Sequence, residues 1–472
     1  MKRHSKIDLI LSLVATISIT SFIFKIRNYD LVAVLISPLA FIGIYGLIRF
    51  IRTVYIIYKL DKDFLEFLSI LLSFESNGLH INDLFKQAAR QEIILPGIYS
   101  NIAKEYVVVE KLMGNSRRAL SLLANNLPGS KLTEFIEGYI GIMDTTGNTL
   151  EYTKTTIDME LNSLENSMGT LLTIIEGFYE AYLIILLSVI ILSSLPNPID
   201  IGFIVKYILV IIGLGGYLVA NFLSQKLYYD EPLFFTVFTT IFICALWILI
   251  DYFGILRTSL ISAGIILASI ILWRKTFYWK KKVESNIHSL LEDLYIEAEQ
   301  GFTIDRALMR LSKRNNAYSW VAEELSNMLS LGIKGSRIAS LINVTIFVRK
   351  ALSLILAPLE ISANHSKHLG YLLRLFRRIT GIRKNVRERT RILFAYTLVL
   401  PPTIYTISYA LKTMAPFGLT GVNPLDLLGY VLVSSISASL IVSKISDGCG
   451  LYDLKTLLII LENLILYLWI SL

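Results

Sequence analysis

Stretches of about 20 apolar residues alternate with two long polar segments along this chain, which is the spacing that membrane-crossing helices require. The polar segments have the periodicity of amphipathic helices and few alternating, strand-like runs. We therefore predict an all-α polytopic membrane protein with two helical-bundle domains. The nine apolar windows lie at about residues 7–24, 31–51, 171–195, 201–223, 233–253, 255–273, 391–411, 425–443 and 456–471.

The two halves of the chain share one pattern when Gly78 is aligned with Gly301. In this alignment the window 31–51 falls on 254–274, and the window 201–223 falls on 424–446. Each repeat has two spans, a helical domain and two more spans, so we predict a parallel internal repeat with a ninth span added at the C-terminus. The predicted layout is 1–52 for spans 1 and 2, 53–166 for the first helical domain, 167–273 for spans 3 to 6, 274–390 for the second helical domain and 391–472 for spans 7 to 9.

A glycine separates two amphipathic helices in both repeats, in the segments SNGLHINDLF and EQGFTIDRAL. Glycine accepts the left-handed conformation that ends a helix and lets the chain reverse. Gly78 and Gly301 are therefore predicted turns of a helix hairpin, with a kinked continuous helix as the alternative. A second pair of turns, matched in the same alignment, is predicted at Gly147 and Gly370.

Basic residues indicate which side of the membrane the helical domains occupy. Each repeat crosses the membrane an even number of times, so both domains must lie on the same side. Basic clusters at 280–282 and 383–391 favour the cytoplasm for both domains. The N-terminus is then cytoplasmic and, after nine crossings, the C-terminus is outside.

The two helical domains carry opposite net charges. Residues 53–166 hold 10 Lys and Arg against 15 Asp and Glu, whereas residues 275–390 hold 20 against 10. Anionic lipid headgroups or a protein partner could both explain this basic excess. The two explanations remain open for the juxtamembrane set Lys280, Lys281, Lys282, Arg383, Lys384, Arg387 and Arg389. A protein partner is predicted for a set further from the spans, Arg306, Arg310, Lys313 and Arg314.

Three acidic residues inside apolar windows, Glu176, Glu180 and Glu462, are candidates for function, because ionisable groups in membrane spans are costly. Glu176 and Glu180 lie one helical turn apart and share a face. The alternative is that the carboxylate is hydrated at the membrane interface. We favour this alternative for Glu176, and both interpretations remain open for Glu180. Pro401 and Pro402 are expected to kink the seventh span.

Motifs of chemical function are absent from the sequence. It contains no nucleotide-binding P-loop and no H-E-x-x-H pair. We predict no catalytic residue, cofactor or metal site, and no enzymatic activity. Because most basic residues lie near membrane boundaries, lipid or protein is favoured over nucleic acid as the partner.

The paired segments SFESNGLHINDLFKQAAR and EAEQGFTIDRALMRLSKR resemble the type II secretion F domain, whose first two helices meet at a polar–Gly–hydrophobic turn. Residues 143–168 and 366–391 resemble the later helices of such a domain. Two F domains fused with about nine spans are similar to the archaeal platform proteins of type IV pilus and archaellum assembly.

This resemblance implies a non-enzymatic platform in the cell membrane. The partners it implies are a cytosolic hexameric secretion ATPase, pilin or archaellin subunits, membrane lipids and a further copy of the chain, for example in a dimer. The four basic residues 306, 310, 313 and 314 would then contact the ATPase. A secondary transporter and a membrane scaffold are the rival interpretations; a transporter would need broken spans and polar ligands within the bilayer.

Overall fold

The computed structural model consists of helices joined by turns in the part of the chain that it describes. The described residues are 57–193 without 94 and 128, 202–227, 233–333 without 315 and 317, 338–356 without 340 and 343, 365–413, 424–451 without 449, and 454–471. The chain divides into two compact units, Met1–Thr156 (unit 1) and Ile157–Leu472 (unit 2). The apolar windows 7–24 and 31–51, and the predicted cytoplasmic N-terminus, lie outside the described residues.

Unit 1 contains five helices of the first predicted helical domain. They are α1 (Phe64–Glu75), α2 (Ile81–Ala89), α3 (Tyr99–Met113), α4 (Ser116–Asn125) and α5 (Lys131–Thr145). The boundary between the units falls within the next helix, α6 (Thr149–Ser193). Helices α2 to α5 have the amphipathic patterning that the sequence predicts for residues 53–166, whereas α1 is buried on nearly all sides.

Aromatic side chains fill the core of unit 1. Phe67 of α1 stacks against Phe85 of α2 and Tyr99 of α3, with ring centroids 5.9 and 4.5 Å apart. Phe135 of α5 meets Phe64 edge-on at 5.9 Å. Such pairs add to the stability that burial alone provides. They join α1, α2, α3 and α5 into one bundle.

Unit 2 contains the long apolar helices and the second predicted helical domain. Its helices after α6 are α7 (Gly202–Lys226), α8 (Leu233–Glu299), α9 (Ile304–Ser312), α10 (Ser319–Ser330), α11 (Ile346–Leu356), α12 (His365–Thr413), α13 (Pro424–Asp447) and α14 (Leu454–Ser471).

Four described helices are long and apolar enough to cross a membrane. Their candidate spans are Thr149–Leu192 in α6, Ile204–Gln225 in α7, Phe235–Leu272 in α8 and Leu427–Ser446 in α13. The described chain thus indicates membrane association, but nine crossings are not confirmed. The predicted spans 391–411 and 456–471 lie in α12 and α14, which are not among these four.

Gly254 interrupts α8 with non-helical backbone angles, φ 75° and ψ 170°. The candidate span Phe235–Leu272 is 38 residues long. As one straight helix it would extend about 57 Å, roughly twice the thickness of a hydrocarbon core. The interruption falls between the predicted windows 233–253 and 255–273. It therefore divides the candidate span into two helical segments, each of a length suited to one crossing.

Helix α13 is the buried centre of unit 2. Of its apolar window 94% is buried, against 28–39% for the other three candidate spans. Asn463 Nδ2 of α14 donates to Ser435 Oγ at 3.1 Å, and Ser439 Oγ donates to Thr456 Oγ1 at 2.9 Å. Because the later residue of α13 meets the earlier residue of α14, the two helices are antiparallel.

Helices α7 and α8 are also antiparallel neighbours. Lys206 Nζ, near the start of α7, donates to Asp251 Oδ1 at 2.7 Å, just before the interruption at Gly254. Lys206 lies near the start of its predicted span, 201–223, and Asp251 lies near the end of its own, 233–253. This is the arrangement expected of two consecutive crossings.

The turns at Gly78 and Gly301 have the same geometry. Both glycines have positive φ, 77° and 85°. In each turn the glycine amide bonds to the carbonyl three residues earlier, and the following amide bonds to the carbonyl five residues earlier, as in a Schellman motif. The bonds are Gly78 N to Glu75 O at 3.0 Å, Leu79 N to Phe74 O at 3.1 Å, Gly301 N to Ala298 O at 3.0 Å and Phe302 N to Glu297 O at 3.1 Å. These two hydrogen bonds of the first turn recur at the aligned positions of the second.

The second predicted pair of turns does not recur. Gly147 ends α5 with φ 68°, and its amide donates to Ile142 O at 2.9 Å. Gly370 instead lies inside α12, just after the helix begins, so the prediction of a turn there is wrong. A Cβ at Gly370 would lie 3.2 Å from Tyr295 of α8. Close packing of two helices therefore accounts for this glycine.

We expect Gly301→Ala to lower the free energy of unfolding by about 1–2 kcal/mol, because an L-residue is strained at left-handed backbone angles. Thermal unfolding of the purified protein in detergent measures the loss. Gly381→Ala is the matched control, since Gly381 lies within α12 and a Cβ there meets nothing within 4 Å. This control should raise stability slightly. Equal effects of the two variants would contradict the turn geometry.

Glu75 makes the stability of unit 1 dependent on pH. Burial raises the pKa of its carboxyl, and nearby hydroxyls of Thr153, Tyr139 and Thr149 oppose this only in part. The folded state therefore holds the proton more tightly than the unfolded chain does. The carboxyl stabilises the fold fully below its unfolded pKa of about 4.3, and this stabilisation is lost as pH rises through the folded value.

We therefore expect Glu75→Gln, which stays neutral at every pH, to raise the free energy of unfolding at neutral pH. Near pH 4 the variant and the wild type should be equally stable, because both are then uncharged at this position. Denaturant unfolding at the two pH values measures the difference. Glu137→Gln, on the exposed face of α5, is the control. A gain that is the same at both pH values would contradict the buried, proton-binding carboxyl.

Candidate functional site

Helices α6 and α12 lie side by side and run in the same direction within unit 2. Arg378 Nη1 donates to Asp158 Oδ1 at 3.3 Å, and Arg378 also bonds Asn162. Further along, residues 176–187 of α6 and 389–407 of α12 line one groove. Contacts therefore advance in step along both helices. The pair continues from the polar part of each helix into its predicted membrane span.

The groove between α6 and α12 has a volume of about 820 Å³. Its walls are mainly aliphatic and aromatic and include Leu183, Ile392, Tyr396 and Val399, which are 45, 56, 62 and 55% exposed. The lining on α12 extends for about 27 Å at a rise of 1.5 Å per residue. That length is close to the roughly 30 Å of a hydrocarbon core. The lining on α6, from Glu176 to Leu187, is shorter at about 17 Å, so the apolar groove has two walls over part of that length.

Charged side chains lie at one end of this groove. Glu176 and Glu180 of α6 and Arg389 of α12 all line it. The two glutamates are one helical turn apart, so Glu180 lies about 6 Å deeper along the helix axis. Among the residues that the structure describes, neither glutamate has a partner in an ion pair. A carboxylate without a cation is costly at membrane depth, so this end favours a cationic ligand.

One residue that lines the groove also connects α6 to α13. Tyr179 is 7% exposed and its hydroxyl donates to the carbonyl of Ala438 at 2.6 Å. This bond fixes α6 to the buried centre of unit 2. Pro401 and Pro402 lie in the wall, and α12 continues through them to Thr413. Thr403 Oγ1 donates to Val399 O at 2.8 Å, next to the prolines that remove backbone donors.

Sequence reasoning identified Glu176 and Glu180 but not the groove. Arg389 was predicted to contact lipid or a partner, and Tyr396 and Thr403 were not singled out. The predicted repeat makes α6 and α12 equivalent, but equivalence alone does not say that two helices touch. Glu462, the third acidic candidate, lies on α14 and does not line the groove.

Two of the four basic residues predicted to bind a protein partner have partners within unit 2. Glu297 is buried, with its side chain 2% exposed, and it pairs with Arg310 at 3.2 Å and Arg314 at 2.6 Å. The turn at Gly301 brings α9 back onto α8 and makes these pairs possible. Arg306 and Lys313 are exposed on the same helical hairpin. They are the better candidates for an external contact.

The juxtamembrane basic residues also divide into two groups. Arg383 is buried, 8% exposed, where it pairs with Glu284 and lies 4.4 Å from the ring of Phe347. Arg383 was predicted to contact lipid or a partner, and in the structure its cation is neutralised by Glu284 inside the bundle. Arg387 Nε donates to Ser446 O at 3.4 Å and joins α12 to α13.

The rest of the juxtamembrane set stays near the surface. Lys384 lies 3.9 Å from Glu388 on the exposed face of α12, a pair of small energetic value. Lys282 is exposed, and Lys280 and Lys281 are half-buried. Contact of these lysines with lipid or a partner stays a prediction.

The groove lies in the predicted membrane region, and its apolar lining with charged side chains at one end suits the binding of a ligand. No group of three or more potential metal ligands occurs among the described residues. No protein-family model, curated protein or solved structure matches the chain.

Proposed function

We propose that this protein is the membrane platform of a machine that assembles type IV pilus-like filaments, an archaeal pilus or archaellum. In this role it connects a cytosolic secretion ATPase to the transfer of filament subunits out of the membrane. The observation that carries the proposal is the groove between α6 and α12. It is apolar along most of its length, and both of its walls are helices whose preceding segments carry polar and charged residues.

Repetition of the two halves supports this proposal. The two hydrogen bonds donated by the amides of Gly78 and Leu79 recur at Gly301 and Phe302. The same alignment makes α6 and α12 equivalent, and these are the two helices that form the groove in parallel. A parallel repeat about an axis along the membrane normal would place both helical domains on the same side of the membrane, and the basic flanks favour the cytoplasmic side that an ATPase platform requires.

A secondary transporter fits the described helices less well. Its substrate site would lie near the middle of the bundle, between broken helices. In unit 2 that centre is filled by α13, whose apolar window is almost entirely buried. The groove is lined by residues of α6 and α12.

Deletion of the gene in the source cell tests the proposal. We expect cells without the protein to lose one class of surface filament completely, while its subunits accumulate in the membrane. Electron microscopy counts the filaments, and membrane fractionation locates the subunits. Full-length protein supplied in trans should restore both. Normal filaments of every class in the deletion strain would contradict the platform role.

A further inference from the structure

The groove between α6 and α12 has a charge pattern that selects its occupant. All three of its charged residues lie at one end, and two of the three are carboxylates. From that end the lining is apolar apart from tyrosine and threonine side chains. A ligand that matches this pattern is apolar along its length and cationic at one end.

Length and exposure distinguish the possible occupants. The lining on α12 extends for about 27 Å, which equals about 18 residues of helix. A compact solute would not use such a length. Apolar wall residues more than half exposed, such as Ile392 and Val399, offer contact along one face instead of an enclosed cavity. Membrane helices associate through this kind of extended van der Waals contact.

We propose that this groove binds a single apolar transmembrane helix of another protein, and that Glu176 and Glu180 bind a lysine, arginine or free amine at the end of that helix. The inference rests on the proposed function, since it names the part of a filament subunit that the platform would hold. Glu180 makes the contact deeper in the membrane, one helical turn beyond Glu176. Arg389, at the same end, excludes a second cation and limits the site to one helix.

Full-length protein reconstituted in lipid vesicles tests the inference with defined probes. The probes are synthetic helices of about 20 leucine and alanine residues that end in a lysine pair, a glutamine pair or a glutamate pair. A photo-crosslinking amino acid replaces Tyr396 in the groove. In a matched control protein it replaces Ile191, which is 60% exposed on α6 and does not line the groove.

We expect the crosslinker at position 396 to capture the lysine probe about tenfold more than the glutamate probe, which corresponds to the electrostatic preference of one good charge contact. Glu176→Gln with Glu180→Gln should reduce capture of the lysine probe to that of the glutamine probe. The crosslinker at position 191 should not distinguish the three probes.

Several outcomes would overturn the inference. These are equal capture of the three probes at position 396, a lysine preference that survives the double glutamine substitution, and crosslinks only to lipid or to residues 1–56 of the same chain. Filament loss in the deletion strain would be unaffected by any of them. The failure of this inference can therefore be told apart from failure of the platform role.

Discussion

Removal of both arginines that contact Glu297 should destabilise the second helical domain by about 1–3 kcal/mol, because a buried carboxylate would lose two half-exposed counter-ions. Glu297 is 2% exposed, and Arg310 and Arg314 lie 3.2 and 2.6 Å from it. Arg310 also lies 4.2 Å from the ring of Phe302, so its removal costs packing as well. Unfolding of the purified Arg310→Ala, Arg314→Ala variant measures the loss.

Two further variants separate this effect from a general effect of surface charge. Arg306→Ala with Lys313→Ala removes the same charge from exposed positions and should change stability by less than about 0.5 kcal/mol. Glu297→Met added to the first variant should recover most of the loss, since no buried charge then remains. Similar stability of the two double variants would show that Glu297 is not held by its arginines.

Reversal of the acidic end of the groove should abolish filament assembly. In Glu176→Lys with Glu180→Lys, three cations would line one end of the groove and repel the cationic end of a subunit helix. We expect no filaments by electron microscopy, although the variant reaches the membrane in normal amount. Glu165→Lys, an exposed position on α6 before the predicted span, is the control and should leave filament number unchanged.

A different pattern would count against the groove. If the double lysine variant assembles filaments normally, subunits do not depend on this charge. If Glu165→Lys is equally defective, the effect is one of general charge on α6. If the double lysine variant does not reach the membrane, Glu176→Gln with Glu180→Gln takes its place in the experiment. This variant adds no positive charge to the span and should still reduce filament number.

The sequence predicts the local features of this fold well. The polar segments become amphipathic helices, and the turn at Gly301 follows from a glycine between two apolar-periodic runs. These features depend on residues close together in the chain. Gly370 shows the limit of the pattern, because glycine also serves where two helices pack closely, as α12 does on Tyr295.

Long-range contacts could not be read in the same way. Arg389 and Glu176 belong to opposite halves of the chain, and only the packing of α6 on α12 brings them to one groove. From the sequence alone, Arg310 and Arg314 are expected to belong to a basic surface. In the structure, the hairpin at Gly301 places both of them against Glu297. Periodicity gives the face on which a residue lies, but not which other helix covers that face.

Binding of the cytosolic ATPase to the purified, full-length protein tests the platform role most directly. Protein isolated from the source cell in mild detergent should carry a hexameric secretion ATPase, and the two purified components should bind again and hydrolyse ATP together. We expect this complex to form, and we expect no solute uptake when the protein alone is placed in sealed vesicles. A protein that binds no ATPase but moves a solute across the vesicle membrane would contradict it.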